Sequence, residues 1–139
     1  AAPSNPGLKA TWHEFKGNKC SEIEKAPVNG TYPVEDVMIP KKVKGNIGLI
    51  IKGYFNAPQD DIYTFALLSD DGSTLTIDSE QIVDNDGPHG PKEIVGQKAL
   101  AKGYHPMELR YFDQNGGQLK LKVTGSDGKE IPFTHLYAH

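Results

Sequence analysis

The chain has a single cysteine, Cys20, among its 139 residues. An internal disulfide and a thiolate metal cluster are therefore excluded, and Cys20 reads as a small packed side chain. Tryptophan is equally scarce: Trp12 stands alone, in a pattern that assigns it to the core side of a first strand. No apolar run approaches the roughly 20 residues that a spanning helix needs, so membrane insertion is not expected. Basic charge is in short supply too. Fifteen lysines and arginines against 18 acids leave a formal charge of −3, and no basic stripe interleaves with aromatics, which argues against nucleic-acid binding. The common catalytic signatures are missing: there is no Gly-x-Ser-x-Gly elbow, phosphate loop or His-Glu-x-x-His. The first residues carry no signal peptide and read as the start of a processed chain or an excised domain.

Glycine and proline, in contrast, are plentiful at 15 and 10 residues. They fall between short alternating segments, the pattern of an all-β chain with frequent turns. The length fits one domain burying roughly two-thirds of its unfolded surface. Residues 1–6 read as a lead and residues 7–139 as a single module. Leu8 to Phe15 alternates and predicts a first strand. Residues 16–30 read as loop, with one short helical turn at Cys20 to Ala26, and Tyr32 to Ile39 as an extended edge bounded by Pro33 and Pro40. Asn46 to Ala57 alternates throughout. Gln97 to Ala101 predicts a short strand, and Tyr104 to Phe112 with Leu119 to Val123 predicts a hairpin around the Asp113–Gly117 loop. A last strand is expected through Ile131 and Phe133. Eight or nine such strands are most economically buried as an antiparallel β-sandwich.

The chain is organised around Asp61 to Gly90. Ile62 to Leu68 is near-continuously apolar, which predicts a strand buried on both faces. The run stops at Ser69-Asp70-Asp71-Gly72, restarts at Leu75-Thr76-Ile77, turns at Asp78-Ser79 and returns through Gln81-Ile82-Val83. It ends in Asp84-Asn85-Asp86-Gly87-Pro88-His89-Gly90. Two carboxylate-rich loops on one hairpin are expected to lie together at one end of a sheet. Asp-Asp-Gly also makes an ordinary turn, and Asp84 to Gly87 lacks the spacing of an EF-hand, so it reads as a self-capped loop. His105 falls on a core face as a satisfied histidine, while His13, His135 and His139 form no metal spacing.

These pieces, together with Gly103-Tyr104-His105-Pro106, Tyr111-Phe112 and Gly116-Gly117, occur in the order found in the protective antigen PA-14 domain family, which the chain resembles from about Gly7 to Ile131. The resemblance implies a non-catalytic, carbohydrate-binding β-sandwich, most like modules appended to bacterial glycoside hydrolases such as β-hexosaminidases and β-glucosidases. It further implies an extracellular, periplasmic or cell-surface location and a monomeric isolated domain. In the family's fungal adhesins, adjacent aspartates joined by a cis peptide bind calcium, to which sugar hydroxyls also bind. The positions matching that motif are Asp70 and Asp71, with Asp113 as the later ligand and Asn115 as the other match for it. Asp70, Asp71, Asp113, Asn115 and His89 are thus the residues expected near a glycan.

The later loop is short and glycine-rich, without the aromatic that some adhesins place beside the sugar, and Ser79 stands where glycine is common. The aspartate pair favours glycan binding. The missing aromatic favours a second reading, a structural or gating module packed on a parent hydrolase's catalytic domain.

Overall fold

The computed structural model describes residues 3–114 and 116–139. Their strands are β1 (Leu8–Glu14), β2 (Val28–Val34), β3 (Ile47–Ala57), β4 (Asp61–Asp70) and β5 (Ser73–Ile77). They continue as β6 (Glu80–Asn85), β7 (Lys92–Leu100), β8 (Gly103–Asp113), β9 (Gln118–Thr124) and β10 (Tyr137–Ala138). Helix among the described residues is confined to 3-10 turns at Cys20–Lys25 and Phe133–His135. All ladders are antiparallel. One sheet runs β2-β1-β3-β8-β5-β6, with β10 also on β3; the other is β7-β4-β9. The expected all-β antiparallel sandwich is what the chain forms.

Period-two patterning places the core between the sheets. Leu49, Ile51 and Phe55 of β3 and Met107, Leu109 and Tyr111 of β8 face Tyr63, Phe65 and Leu67 of β4, and all are buried. Phe55 meets Tyr63 and Phe65 edge-on, with ring centroids 5.3 Å apart in both pairs. Such pairs each add about 0.5–1.5 kcal/mol beyond area burial. On the outer face of the large sheet, Ile50 and Phe112 are covered by Phe15, Cys20 and Ile23. Gly48 makes room for this cover, because a Cβ there would lie 2.8 Å from Ile23 Cγ2.

Five sequence expectations are corrected. β8 and β9 are not a hairpin: β8 pairs with β3 and β5, whereas β9 pairs with β4 in the other sheet. Alternation identifies a strand but not its partner, and the intervening loop crosses between sheets roughly 10 Å apart. β4 is not buried on both faces; Ile62 is 52% exposed, and Thr64 and Leu68 on the same outer side are only partly buried. The edge strand is Val28–Val34 rather than Tyr32 to Ile39. The final strand is Tyr137–Ala138, since Pro132 follows a lone Glu130–Thr124 bridge and the chain then enters the Phe133–His135 turn. The predicted Gln97 to Ala101 segment is the end of the longer β7.

Asn5 and Pro6 lie against the other terminus: Asn5 and His139 exchange backbone hydrogen bonds at 3.0 and 2.8 Å, and Pro6 bridges Ala138. At the opposite end of the sandwich from the acidic loops, Asp78 and Ser79 form the two-residue β5–β6 turn with φ of 52° and 65°. Both values belong to a type I′ turn, where glycine is favoured. Asp78 is held there by its amide donating to Pro106 O (2.9 Å) and by His105 Nδ1, 2.8 Å from Asp78 Oδ2. His105 is thus a partly buried, bonded histidine, its Nε2 lying 2.7 Å from Ala101 O. Ser79 has no comparable support among the described residues. Replacing Ser79 with Gly relieves a left-handed side chain, and Ser79→Gly is expected to stabilise the fold by about 0.5–1 kcal/mol. Urea denaturation should show a higher midpoint at unchanged slope.

Candidate functional site

The register gathers the ends of β1, β4, β6 and β8 and the starts of β3, β5, β7 and β9 at one end of the sandwich. The chain changes sheets here between β4 and β5. Ser69 and Ser73, both fully buried, join hydroxyls across that crossing. Asp70 ends β4, Asp71 follows, and the peptide bond between them is cis. Gly72 continues with its carbonyl accepting from Phe112 N at 3.0 Å. Only glycine fits there, since a Cβ would lie 2.6 Å from Phe112 Cε1 and 2.7 Å from Gly87 N.

The Asp71 carboxylate ties three segments together. Its Oδ1 accepts from His89 N (3.1 Å), in the loop after β6, and its Oδ2 from Gln114 N (2.9 Å), in the loop after β8. Gln114 extends the tie by donating from Nε2 to Gly17 O at 3.2 Å. Tyr111 donates its hydroxyl to Asp70 O at 2.6 Å. Asp113 ends β8 opposite Ile47 and is only 4% exposed. Gly117 packs into the space between these groups. A Cβ there would lie 2.1 Å from Asp70 O, 2.2 Å from Tyr111 Oη and 2.9 Å from Asp113 Cγ. The Asp70 carbonyl and the Asp113 carboxyl group thus meet at one glycine backbone, while the Asp71 carboxylate ties together the loops beside them.

The second acidic loop is built differently. Asp84 Oδ1 accepts from Asp86 N (3.2 Å), and Asp86 Oδ1 accepts from Gly87 N (2.8 Å) and Cys20 N (3.0 Å). Its acids cap the loop and fasten the Cys20–Lys25 turn, as the self-capping pattern predicts. Burial first, then the Asp86 carboxylate, pushes the Cys20 thiol well above its ordinary range, so it is packed and unreactive. His89 turns its ring onto its own loop, with Nε2 2.8 Å from Asn85 O and Nδ1 2.7 Å from Gly90 O. It reaches the Asp71 carboxylate through its amide. Asn115 lies outside the described residues.

Asn85 was passed over in the sequence reading. It is 3% exposed, and its Nδ2 donates to Leu67 O (3.2 Å), Ser69 Oγ (3.3 Å) and Lys92 O (2.8 Å). A residue of the large sheet thus fastens both β4 and the start of β7. The signal was its register: two residues beyond inward-facing Val83, Asn85 had to point inward.

The donors offered at this end are hard oxygens, the type that suits calcium rather than zinc. Among the described residues no three His, Cys, Asp or Glu side chains form a metal-holding group, so backbone carbonyls would have to complete a calcium site. Each Asp71 oxygen keeps a lone pair beyond the N–H it accepts. In chemistry, the carboxylate oxygens of Asp70, Asp71 and Asp113 are of the type that suits a calcium ion.

A profile of the PA14 domain matches residues 4–133. The chain belongs to the PA14 domain family. Comparison with curated proteins by sequence gives no match. Among solved structures, the PA14 sugar-binding domain of an RTX adhesin superposes with a TM-score of 0.80 at 16% identity, over 98% of this chain and 100% of that one. The epithelial adhesin 6 A domain of Candida glabrata, solved with Galβ1-3GlcNAc, gives 0.70 at 13% identity, covering 100% of this chain and 89% of the other. A β-glucosidase from Kluyveromyces marxianus, solved with glucose, gives 0.66 at 17% identity, over 86% of this chain but only 16% of its own. What these proteins share with this PA14 domain is the fold.

Tyr111 provides a test of the electrostatics. Burial first, then Asp113, Asp70 and Asp71, pushes its phenol well above the ordinary tyrosine range, and burial with Asp36 does the same to Tyr137. The native state therefore keeps protons that the unfolded chain loses above pH about 10, so stability falls as pH rises, by up to about 1.4 kcal/mol per pH unit per phenol. Denaturant titrations between pH 9 and 11.5 should show this decline, and Tyr111→Phe should remove one phenol's share of the slope.

Proposed function

We propose that this PA14 domain is a non-catalytic carbohydrate-binding module that takes glycan at its acidic end, with calcium held by Asp70, Asp71 and Asp113. The observation that carries the reading is the gathering of Asp70, Asp71 and Asp113 at one loop end built from both sheets, with the Asp70 carbonyl and Asp113 against Gly117 and the Asp71 carboxylate holding the amides of the flanking loops. Calcium takes six to eight oxygens, and carboxylates from separate segments supply both charge and ligands. Vicinal sugar hydroxyls are neutral oxygen donors of the kind that fill the remaining positions on such an ion. Neighbouring folds, one a sugar-binding domain of an RTX adhesin and one an adhesin solved with Galβ1-3GlcNAc, support a glycan as the ligand.

In this reading the protein's own residues position and do not react. Asp71 fixes the loops around the site through the amides of His89 and Gln114, and Tyr111 fixes the Asp70 carbonyl. His89, in the loop after β6, would border the sugar, and Asn115 is proposed to contact it on its family match alone. The module acts outside the cell, in the periplasm or at the cell surface, appended to a glycoside hydrolase of bacterial origin, and raises the enzyme's effective concentration on its substrate rather than binding tightly. The second reading, a structural or gating module on such a hydrolase, is favoured by the short loop after β8 and by a β-glucosidase in which the fold is 16% of the chain.

Calorimetry on the chelator-stripped domain distinguishes these. Saturable calcium binding is expected at about 0.1–1 mM, the range of extracellular modules. Asp70→Ala should weaken it at least about tenfold, whereas Asp84→Ala, in the self-capped loop, should not. Silence at millimolar calcium would remove the calcium-dependent mechanism and leave the packing role.

A further inference from the structure

A second site lies two strands away from Asp113 along the same end of the large sheet. In the row Asp113–Ile47–Glu14, β1 carries the chain past β3 to its far side. A cavity of about 510 Å³ opens there. Its apolar wall is Trp12, Phe15 and Pro27, and its polar rim is Lys16, Lys44 and Asn46, with Glu14 beside them. Leu8 and Ala10, which share the inward row of β1 with Trp12, are fully buried, whereas Trp12 is only partly so. Its indole packs against the core cluster and lines the cavity. The Nε1 of Trp12 is buried without a hydrogen-bond acceptor among the described residues. Buried polar atoms in native proteins are seldom left so.

The charges around the cavity are lopsided. Lys16 and Lys44 form no ion pair among the described residues, while the Glu14 carboxylate already accepts from Asn29 Nδ2 at 2.8 Å. A cationic rim on a chain of formal charge −3 sits beside an aromatic wall and the amide of Asn46. One ligand chemistry meets all three features. The C–H face of a pyranose stacks on an aromatic ring, a carboxylate pairs with ammonium groups, and ring hydroxyls bond to an amide. We propose that this cavity is a calcium-independent saccharide site selective for a uronate residue. It does not depend on the reading of the acidic end, since it uses none of those carboxylates.

Trp12 is the chain's only tryptophan, so its fluorescence reports this cavity directly. The test is titration with a galacturonate trimer in EDTA, with the neutral galactose trimer in parallel, followed by emission and by calorimetry. A saturable change in Trp12 emission with the uronate is expected. It should weaken about three- to tenfold in the Lys16→Ala/Lys44→Ala double variant and stay unchanged in Asp70→Ala. The lysine changes are at the cavity rim and leave the core intact, which circular dichroism checks. No binding, heat without a change in emission, an equal response to the neutral trimer, full affinity in the double-lysine variant, or loss in Asp70→Ala would each overturn the proposal.

Discussion

The loop end of this PA14 domain depends on one carboxylate. Asp71 stands where the chain passes from one sheet to the other, and its two oxygens receive the amides of His89 and Gln114. Loops at the open end of a sandwich have few partners for their backbone groups, and an ionised acceptor makes bonds roughly twice as strong as neutral ones. By holding both loops with one side chain, Asp71 fixes the distance between them.

The sandwich beneath is arranged so that this constraint can act. Asn85 reaches from the large sheet to Leu67, Ser69 and Lys92 of the small one, and the Ser69–Ser73 pair closes the crossing beside it. A polar seam therefore runs between the sheets directly under the acidic end, where the aromatic core around Phe55 no longer reaches. Below it, packing is apolar and ordinary; above it, hydrogen bonds set the geometry. Glycines at 72 and 117 let backbone approach within contact of Phe112 and of the Asp70 carbonyl, which no side chain at those positions would permit.

Much of this was legible in the sequence. Alternation in β3, β4, β8 and β9 identified strands, and the glycine-rich punctuation identified an all-β chain. The clustering of Asp70, Asp71 and the Asp84 to Gly90 loop followed from their positions at the same end of the β5–β6 hairpin. Strand partners were not legible, because period-two patterning says which face a residue takes and nothing about which strand lies beside it. Hence β8 and β9 were read as a hairpin although they belong to different sheets. Exposure of Ile62 was hidden for a related reason: whether a sheet's outer side is covered depends on the rest of the chain. The division of labour between the acidic loops, one gathering around Gly117 and the other capping itself and the Cys20 turn, is a matter of hydrogen-bond geometry that residue types alone do not encode.

The most direct measurement of the central claim is amide hydrogen exchange on the protein and on Asp71→Ala. The account predicts that the His89 and Gln114 amides lose protection together, by about 10–100-fold, while Ile51 and Leu109 in the core keep theirs. If either loop amide kept its protection in the variant, the single carboxylate would not be what joins the loops, and the organisation of the acidic end would have to rest on other bonds.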